Sequence, residues 1–214
     1  MTVTLMLGDC LDRLADLKAD AVVSDPPYGI GYSHGKGGGV LAKATVFDAH
    51  PIHGDDRPFD PSPWLRFPAV ALWGANHYAD RLPARSCWLI WDKRDGIASN
   101  DQADCEIAWT NVKGPARLFH HRWMGMLKAS ERGILRVHPT QKPVALMRWC
   151  IERLKLKPSA TILDPYMGSG TTGVAAVQLG FNFIGCEIDP TYFAVAERRI
   201  AEARAAMPLF QETA

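Results

Sequence analysis

The sequence predicts an α/β fold built on a doubly wound, mostly parallel sheet. Three observations predict it. Short apolar runs alternate with segments of helical apolar spacing, which is the pattern of consecutive βα units. The glycine-rich stretch 164–172 joins one predicted strand directly to a helix. Asp189-Pro190 follows the next strand and supplies an N-cap and a first helical residue for the last helix.

Each predicted strand is a short, mainly apolar run bounded by turn residues. In chain order the strands are predicted at Thr2–Met6, Ala21–Ser24, Pro68–Trp73, Cys87–Trp91, Cys105–Thr110, Ala160–Leu163 and Phe181–Glu187. Helices are predicted where apolar residues recur at helical spacing, at Leu11–Leu17, Pro143–Leu154, Thr172–Leu179 and Thr191–Ala206. Gly180 ends the third of these helices, because glycine is common just past a helix C-terminus.

The chain is predicted to form a single domain, residues 1–214, with one irregular insertion. Residues 29–63 show little periodicity and contain the run Gly35-Lys36-Gly37-Gly38-Gly39. A stretch of this length is typical of a functional lid, a binding loop or a disordered segment. We therefore interpret residues 29–63 as a mobile loop insertion, and its role stays open.

The composition is that of a soluble globular protein, with 47% hydrophobic and 22% charged residues. No apolar run reaches the roughly 18 residues that a membrane span needs. The N-terminus also lacks a secretory signal pattern. The five cysteines are scattered and have neither zinc spacing nor a disulfide pattern. These features predict a cytoplasmic protein with reduced thiols, no bound metal and no membrane contact.

Residues 111–138 are unusually basic. They contain six Lys or Arg residues against Glu131 alone, a charge of +5 in a chain whose net charge is +1. Histidine and tryptophan side chains are interleaved, which is typical of a surface that binds a polyanion. A solvated charged face fits the composition equally well. The candidate nucleic-acid-binding residues are Lys113, Arg117, His120, His121, Arg122 and Lys128.

Residues Asp25-Pro26-Pro27-Tyr28 follow the buried-strand pattern Ala21–Ser24 and suit a clamp for a flat ring that bears an amine. Both prolines lack an N–H and fix φ, so the turn is stiff. The carbonyl groups of Asp25 and Pro26 then serve as acceptors, and Tyr28 offers a face for stacking. The alternative is a purely structural turn, since Pro-Pro is common in loops.

The stretch 163–172 reads as a strand, a tight turn and a helix start, where glycines let a ligand approach the backbone. It is not a Walker loop, because Thr171 rather than Lys follows Gly170. Its match to a dinucleotide loop is only partial. Glu187 stands where an acid meets ribose hydroxyls in such folds. A ligand with a ribose, an ammonium group and no phosphate fits best, and a packing turn is the alternative.

These motifs together resemble the DNA amino-methyltransferases, which transfer methyl from S-adenosyl-L-methionine to an exocyclic base amine. The resemblance rests on Asp-Pro-Pro-Tyr after a strand and a later Asp-Pro-x-x-Gly-x-Gly-Thr-Thr. His138-Pro139-Thr140-Gln141-Lys142-Pro143 is similar to the family segment that helps hold the cofactor. Gly8-Asp9-Cys10 is similar to the acidic turn that contacts the cofactor adenine. With the catalytic motif first, the order matches the permuted β-class on a Rossmann-like fold, over most of residues 1–205.

The resemblance implies roles for individual residues. The catalytic residues are Asp25, Pro26, Pro27 and Tyr28. The S-adenosyl-L-methionine-binding residues are Asp9, Cys10, Asp25, His138, Thr140, Gln141, Lys142, Asp164, Tyr166, Gly168, Ser169, Gly170, Thr171, Thr172, Glu187 and Asp189. The family usually has Phe where Tyr166 stands. Residues 111–137 are short for a full target-recognition domain, so recognition is reduced or shared with the 29–63 loop.

The resemblance also implies a substrate. In this family, Asp in the first motif position is more often found in enzymes that methylate adenine N6. Site-specific methylation of adenine in double-stranded DNA, by base flipping, is therefore expected. The resemblance also implies a protein of a prokaryotic cell or a phage. Cytosine N4 stays open, because some cytosine enzymes carry Asp. An RNA substrate or an inactive DNA-binding module are further alternatives, and a homodimer is neither shown nor excluded. Asn76 and His77, at the end of strand Pro68–Trp73, are candidates to line the pocket.

Overall fold

The computed structural model describes residues 1–32, 52–97, 103–124, 127–134, 137–138 and 140–207. The strands in these residues are β1 Val3–Leu7, β2 Ala21–Ser24, β3 Ala69–Trp73, β4 Trp88–Asp92, β5 Cys105–Thr110, β6 Arg117–His120, β7 Trp123–Met124, β8 Leu127–Lys128, β9 Thr161–Asp164 and β10 Asn182–Glu187. The α-helices are α1 Val144–Arg153, α2 Thr171–Gln178 and α3 Pro190–Ala205. No helix in this part of the chain is both long and apolar enough to cross a membrane.

One sheet of eight strands runs through the protein in the order β1-β10-β9-β2-β3-β5-β4-β6. The first five strands in this order are parallel, and β5 is antiparallel to both of its neighbours. β6 is parallel to β4, and β7 pairs with β8 in a separate hairpin. The mostly parallel sheet predicted from the sequence is therefore confirmed.

The order of the strands reverses between β2 and β9. From β2 the chain continues to its neighbour β3, whereas from β9 it continues to β10 on the other side. Ligands of open α/β sheets bind outside the carboxyl ends of the strands at such a switch point. Asp25, just after β2, and the turn that begins at Asp164 therefore lie at the edge where a ligand is expected.

The two faces of the sheet are covered differently. On one face, Ala21 and Val23 pack in a core with residues of α1, α2 and α3. On the other face, Val22 packs in a core that includes Phe59, Trp64, Phe67 and Tyr78. Alternate strand residues point to opposite faces, so β2 contributes to both cores. Residues 52–67 thus bring irregular chain into the second core, while residues 33–51 of the predicted insertion lie outside the described residues.

The helix predicted at Leu11–Leu17 is wrong in length. The structure has a single 3-10 turn at Cys10–Arg13, whose N-cap Asp9 accepts a hydrogen bond from the Leu11 N–H. So short a segment gains too few hydrogen bonds to offset the cost of starting an α-helix. The other predicted helices and strands are found within about two residues of their predicted ends, as boundaries from sequence usually are.

The described parts of residues 111–137 do not form a unit separate from the main sheet. Arg117–His120 is β6 of the main sheet, paired with β4, and the β7–β8 hairpin follows directly. Neither strand pair was expected, because these strands have only two to four residues and show no clear alternation of apolar and polar residues. The basic segment is therefore partly built into the fold.

Candidate active site

A cavity of about 1160 Å³ opens at the switch point of the sheet. It is bordered on one side by the Asp25–Tyr28 turn and on the other by the turn between β9 and α2. Residues from the 52–63 segment, including Phe59, form a further wall. The topology thus brings the two sequence motifs, more than a hundred residues apart, into one chamber.

The Asp25 carboxylate is held from both sides. The Tyr28 hydroxyl donates to Asp25 Oδ1, and the Lys142 ammonium donates to Oδ2 at 2.6 Å. The Tyr28 ring stacks on His77, with 4.9 Å between ring centroids and 13° between the planes. Gly74 has φ of +70°, and a side chain there would overlap the Tyr28 ring. The turn therefore presents an acid and an aromatic ring in fixed positions.

Behind Asp25 lies a cluster of charged side chains, of which Lys142 is buried and Glu106 and Lys93 are partly buried. Lys142 Nζ is 2.8 Å from Glu106 Oε2, and Lys93 Nζ is 2.8 Å from Glu106 Oε1. Burial alone would raise the pKa of Glu106, but Lys142 and Lys93 lower it to about 2. Burial also raises the pKa of Asp25, and Lys142 offsets only part of that rise. Asp25 is thus a carboxylate whose charge depends on its neighbours.

Asp55 anchors the chain that leaves the catalytic turn. Its buried carboxylate accepts N–H groups from Gly29 at 2.8 Å, Ile30 at 3.3 Å and Tyr32 at 2.5 Å. Gly29 has φ of +76° and lies against the Arg57 carbonyl, where a Cβ would not fit. Part of the predicted loop insertion therefore fixes the exit of the Asp25–Tyr28 turn.

Asp55→Asn is expected to destabilise the protein and lower its activity. One carboxylate oxygen becomes an amide NH₂, which then faces a backbone N–H instead of accepting from it. An unsatisfied buried donor costs about 1–3 kcal/mol. The free energy of unfolding in urea and the rate of methyl transfer measure both effects. Asp56→Asn, at the exposed neighbouring carboxylate, is the matched control and should change neither quantity.

Glu187 organises the opposite side of the cavity. Its carboxylate accepts the Gly168 N–H at 2.8 Å and the Asp189 N–H at 2.8 Å. Burial raises the pKa of Glu187, although these N–H groups counteract the rise. Gly168 has φ of +50°, and a Cβ there would stand 3.5 Å from the His138 ring. Glu187 therefore ties the glycine turn to the strand end beside the cavity.

Other glycines of this turn serve packing. A Cβ at Gly170 would meet Ala196 at 2.9 Å, and one at Gly173 would meet Ile200 at 2.4 Å, both on α3. Arg199 of the same helix donates to the Ser169 hydroxyl at 2.9 Å. The packing alternative thus accounts for part of the motif, while Gly168 faces the cavity.

Asp164 lies beneath the turn and does not line the cavity. It accepts hydrogen bonds from the Ser24 hydroxyl at 2.6 Å and the Tyr166 N–H at 3.1 Å. Burial raises the pKa of Asp164 to about 6. The structure therefore gives Asp164 a role in joining β2 to the glycine turn, and its cofactor-binding role stays a prediction.

The described structure brings most predicted site residues into the cavity wall. Those that line it are Asp9, Cys10, Asp25, Pro26, Pro27, Tyr28, His138, Thr140, Gln141, Lys142, Tyr166, Gly168, Glu187 and Asp189. The predicted residues that do not line it are Asp164, Ser169, Gly170, Thr171 and Thr172. Asn76 and His77 do line it. Sequence reasoning missed Glu106, Lys93, Asp55 and Phe59, since none belongs to a motif and only the fold brings them near Asp25 or Tyr166.

None of the six candidate nucleic-acid-binding residues lines the cavity. Two of them pair with acids at the end of β4: His120 lies 2.8 Å from Asp92, and Arg122 lies 3.5 Å from Asp95. Lys128 lies over the Trp123 ring at 4.8 Å and donates to a backbone carbonyl. Lys113 and Arg117 are exposed. Part of the basic charge is therefore neutralised within the protein, and the DNA-binding role stays a prediction.

The fold is that of the S-adenosylmethionine-dependent methyltransferases. The structure of the M1.HpyAVI–SAM complex matches with a TM-score of 0.57 and 24% identity, over 93% of this chain and 99% of that one. The PvuII DNA methyltransferase, described as cytosine-N4-specific, matches with a TM-score of 0.59 and 15% identity, over 96% and 92%. At these identities the match is one of fold.

Sequence comparison gives the family. A family model for N6/N4 methyltransferases, described as DNA methylase, matches residues 90–198. The YubD protein of Escherichia coli (strain K12), a methylase by name, is 43% identical over 94% of this chain and 91% of its own length. This chain therefore belongs to the N6/N4 family of DNA methyltransferases.

Proposed function

We propose that this protein transfers the methyl group of S-adenosyl-L-methionine to the N6 amine of adenine in double-stranded DNA. The observation that carries the proposal is the shared cavity, which has the Asp25 carboxylate at one side and the Gly168 turn at the other. A methyl donor bound at the Gly168 turn and a base amine bound at the Asp25 carboxylate would meet inside this cavity.

The residues on the side of the cavity that holds the Gly168 turn fit such a cofactor. Asp9, Glu187 and Asp189 line this side, and three acids favour hydroxyl and ammonium groups over phosphates. Tyr166 and Phe59 supply aromatic surface, with their rings 5.8 Å apart. When bound, S-adenosyl-L-methionine supplies an electrophilic methyl group on a sulfonium. Glu187 would hold the ribose, and Asp9 would lie near the adenine.

On the other side, Asp25 and Pro26 act on the base amine. The lone pair of such an amine is delocalised into the ring, so the amine is a weak nucleophile. Acceptance of its N–H groups by the Asp25 carboxylate and the Pro26 carbonyl localises the lone pair and stabilises the positive charge that develops. Because the Tyr28 hydroxyl donates to Asp25 in this structure, the amine takes over that acceptor when the base enters.

Tyr28 supports the base by stacking. His77 stacks on one face of the Tyr28 ring, so a base would stack on the other face. Stacking of a base on an aromatic side chain contributes about 1–3 kcal/mol. The base must leave the duplex to reach this depth, as in other enzymes that modify bases.

The target base is tested directly. Plasmid DNA from a host without methylases of its own is incubated with the protein and cofactor, then digested to nucleosides for mass spectrometry. We expect N6-methyladenine. N4-methylcytosine would instead favour the second candidate, for which the fold match to the cytosine-N4-specific PvuII enzyme is the supporting observation. Methylated RNA with unmodified DNA would overturn the DNA assignment.

The exposed basic residues of β6 and the preceding turn are expected to contact DNA phosphates. Replacing Lys113 and Arg117 with Ala should weaken DNA binding at low salt and reduce the slope of log K against log salt by about 2. Fluorescence anisotropy over a salt series measures the slope. A control with the exposed Lys18 and Lys157 replaced by Ala has the same net charge. Equal slopes in the two variants would contradict the assignment.

A further inference from the structure

Lys142 joins two carboxylates that come from different parts of the chain. Its ammonium lies 2.6 Å from Asp25 Oδ2, after β2, and 2.8 Å from Glu106 Oε2, on β5. The Lys142 side chain is only 6% exposed. Resting on the function proposed above, we propose that Lys142 is a positioning residue that keeps the Asp25 carboxylate aimed and charged, and that Glu106 limits the strength of this hold.

The geometry explains why a bridging lysine is needed here. A buried carboxylate without a partner protonates instead of remaining charged. A protonated Asp25 would offer the base amine one acceptor fewer. Lys142 donates to Oδ2, which leaves Oδ1 as the atom on which the amine replaces the Tyr28 hydroxyl. Lys142 also lies 3.3 Å from that hydroxyl, so it fixes the whole Asp25–Tyr28 pair.

Glu106 weakens the interaction between Lys142 and Asp25, because the Lys142 ammonium also interacts with the Glu106 carboxylate. An ammonium that faced Asp25 alone would withdraw more electron density from its carboxylate and make it a poorer acceptor. Glu106 is itself balanced by Lys93 at 2.8 Å, so the four side chains form two acids against two bases. The numbers of acidic and basic side chains in the cluster are therefore balanced, and removing one of them changes the electrostatic environment of Asp25.

A purely structural role for this cluster is the competing explanation. Buried ion pairs are weak evidence of function, since they often contribute little net stability. The two explanations differ in whether the pH dependence of methyl transfer follows the pKa of Asp25. The other groups that face Asp25 are the hydroxyls of Tyr28 and Tyr78 and the acid Asp164, while His77 stacks behind Tyr28. Only Lys142 places a positive charge directly on Asp25 in the described residues.

The test measures the Asp25 carboxyl group itself. Protein labelled with ¹³C at the aspartate carboxyl carbon is titrated by NMR, and the Asp25 signal is assigned from its loss in Asp25→Asn. We expect Lys142→Met to raise the pKa of Asp25 by about 1–3 units, because an adjacent opposite charge lowers a carboxyl pKa by that amount. Glu106→Gln should lower the pKa of Asp25, because it removes a nearby negative charge.

Methyl transfer to unmethylated plasmid DNA gives the second readout. The acidic limb of kcat should move to higher pH in Lys142→Met and to lower pH in Glu106→Gln. KM for S-adenosyl-L-methionine should stay within about twofold, which would distinguish this role from the cofactor contact that the resemblance implies for Lys142. Lys142→Arg should restore much of the activity that Lys142→Met loses. Lys18→Met, at an exposed lysine outside the site, should leave both readouts unchanged.

Opposite shifts of the acidic limb of kcat that follow the Asp25 pKa in the two variants support the proposal, since a merely structural role does not tie the activity profile to that pKa. Shifts in one direction, or none, overturn it. If circular dichroism shows that Lys142→Met does not fold, Glu106→Gln decides alone, and the absence of a downward shift is then sufficient to reject the idea. A wild-type protein that transfers no methyl group would contradict the proposed function, whereas the NMR titration would still test the cluster.

Discussion

Asp25→Asn is expected to lower kcat for methyl transfer by about 10²–10³-fold, as loss of one preorganised electrostatic group does in other enzymes. Asparagine has nearly the same shape, so the turn between Pro26 and Tyr28 should keep its form. Its amide lacks the negative charge, and its NH₂ group must face either the Lys142 ammonium or the base amine, both of which are donors that it cannot accept from. Radiolabelled methyl transfer to plasmid DNA measures the effect.

The affinity for S-adenosyl-L-methionine should change little in Asp25→Asn, because the glycine turn and Glu187 lie on the other side of the cavity. Isothermal titration calorimetry checks this. Asp16→Asn, at an exposed carboxylate far from the motif, is the matched control. Full activity in Asp25→Asn would show that the Asp25 carboxylate is not needed for methyl transfer. It would contradict the mechanism in which Asp25 and Pro26 accept the N–H groups of the base amine.

The fold was predictable because its strands and helices repeat a simple pattern. Buried parallel strands such as β2 read as continuous apolar runs, and Asp189-Pro190 marks the start of α3 without ambiguity. Two elements were not predictable. Leu11–Leu17 has helical spacing but too little length, and β6 is held in the sheet by pairing with β4 rather than by its own sequence. Pairing between distant segments is a property that local patterns do not encode.

The cavity wall was predictable where prolines and glycines fix the backbone. Prolines and glycines fix turns, so Asp25–Tyr28 and the Gly168 turn stand out in the sequence. Glu106, Lys93 and Asp55 did not, because their roles depend on partners far along the chain. Asp55 acts on N–H groups 23 to 26 residues away, and Glu106 on β5 meets Lys142 from a later part of the chain. The sequence alone does not distinguish a functional acid on a strand from any other acid until the position of that strand in the sheet is known.

Gly168→Val is expected to have the opposite effect to Asp25→Asn, by strongly weakening cofactor binding. Gly168 has φ of +50°, a conformation that β-branched residues rarely adopt. The added side chain would fill the space between the turn and His138, and strain would weaken the N–H contact with Glu187. A loss of about 3 kcal/mol in binding free energy corresponds to roughly 100-fold in Kd. Calorimetry with S-adenosyl-L-methionine measures it.

Gly180→Val is the control that separates steric blocking of the cofactor site from the effect of backbone strain. Gly180 has φ of +79° and open space where a Cβ would stand, and it does not line the cavity. This control should lose stability, as any non-glycine residue would there, but should keep cofactor affinity. Normal S-adenosyl-L-methionine binding by folded Gly168→Val would place the cofactor elsewhere. If Asp25→Asn loses transfer but keeps the cofactor, while Gly168→Val loses the cofactor but keeps DNA binding, then the two sides of the cavity act separately, as methyl transfer between two bound ligands requires.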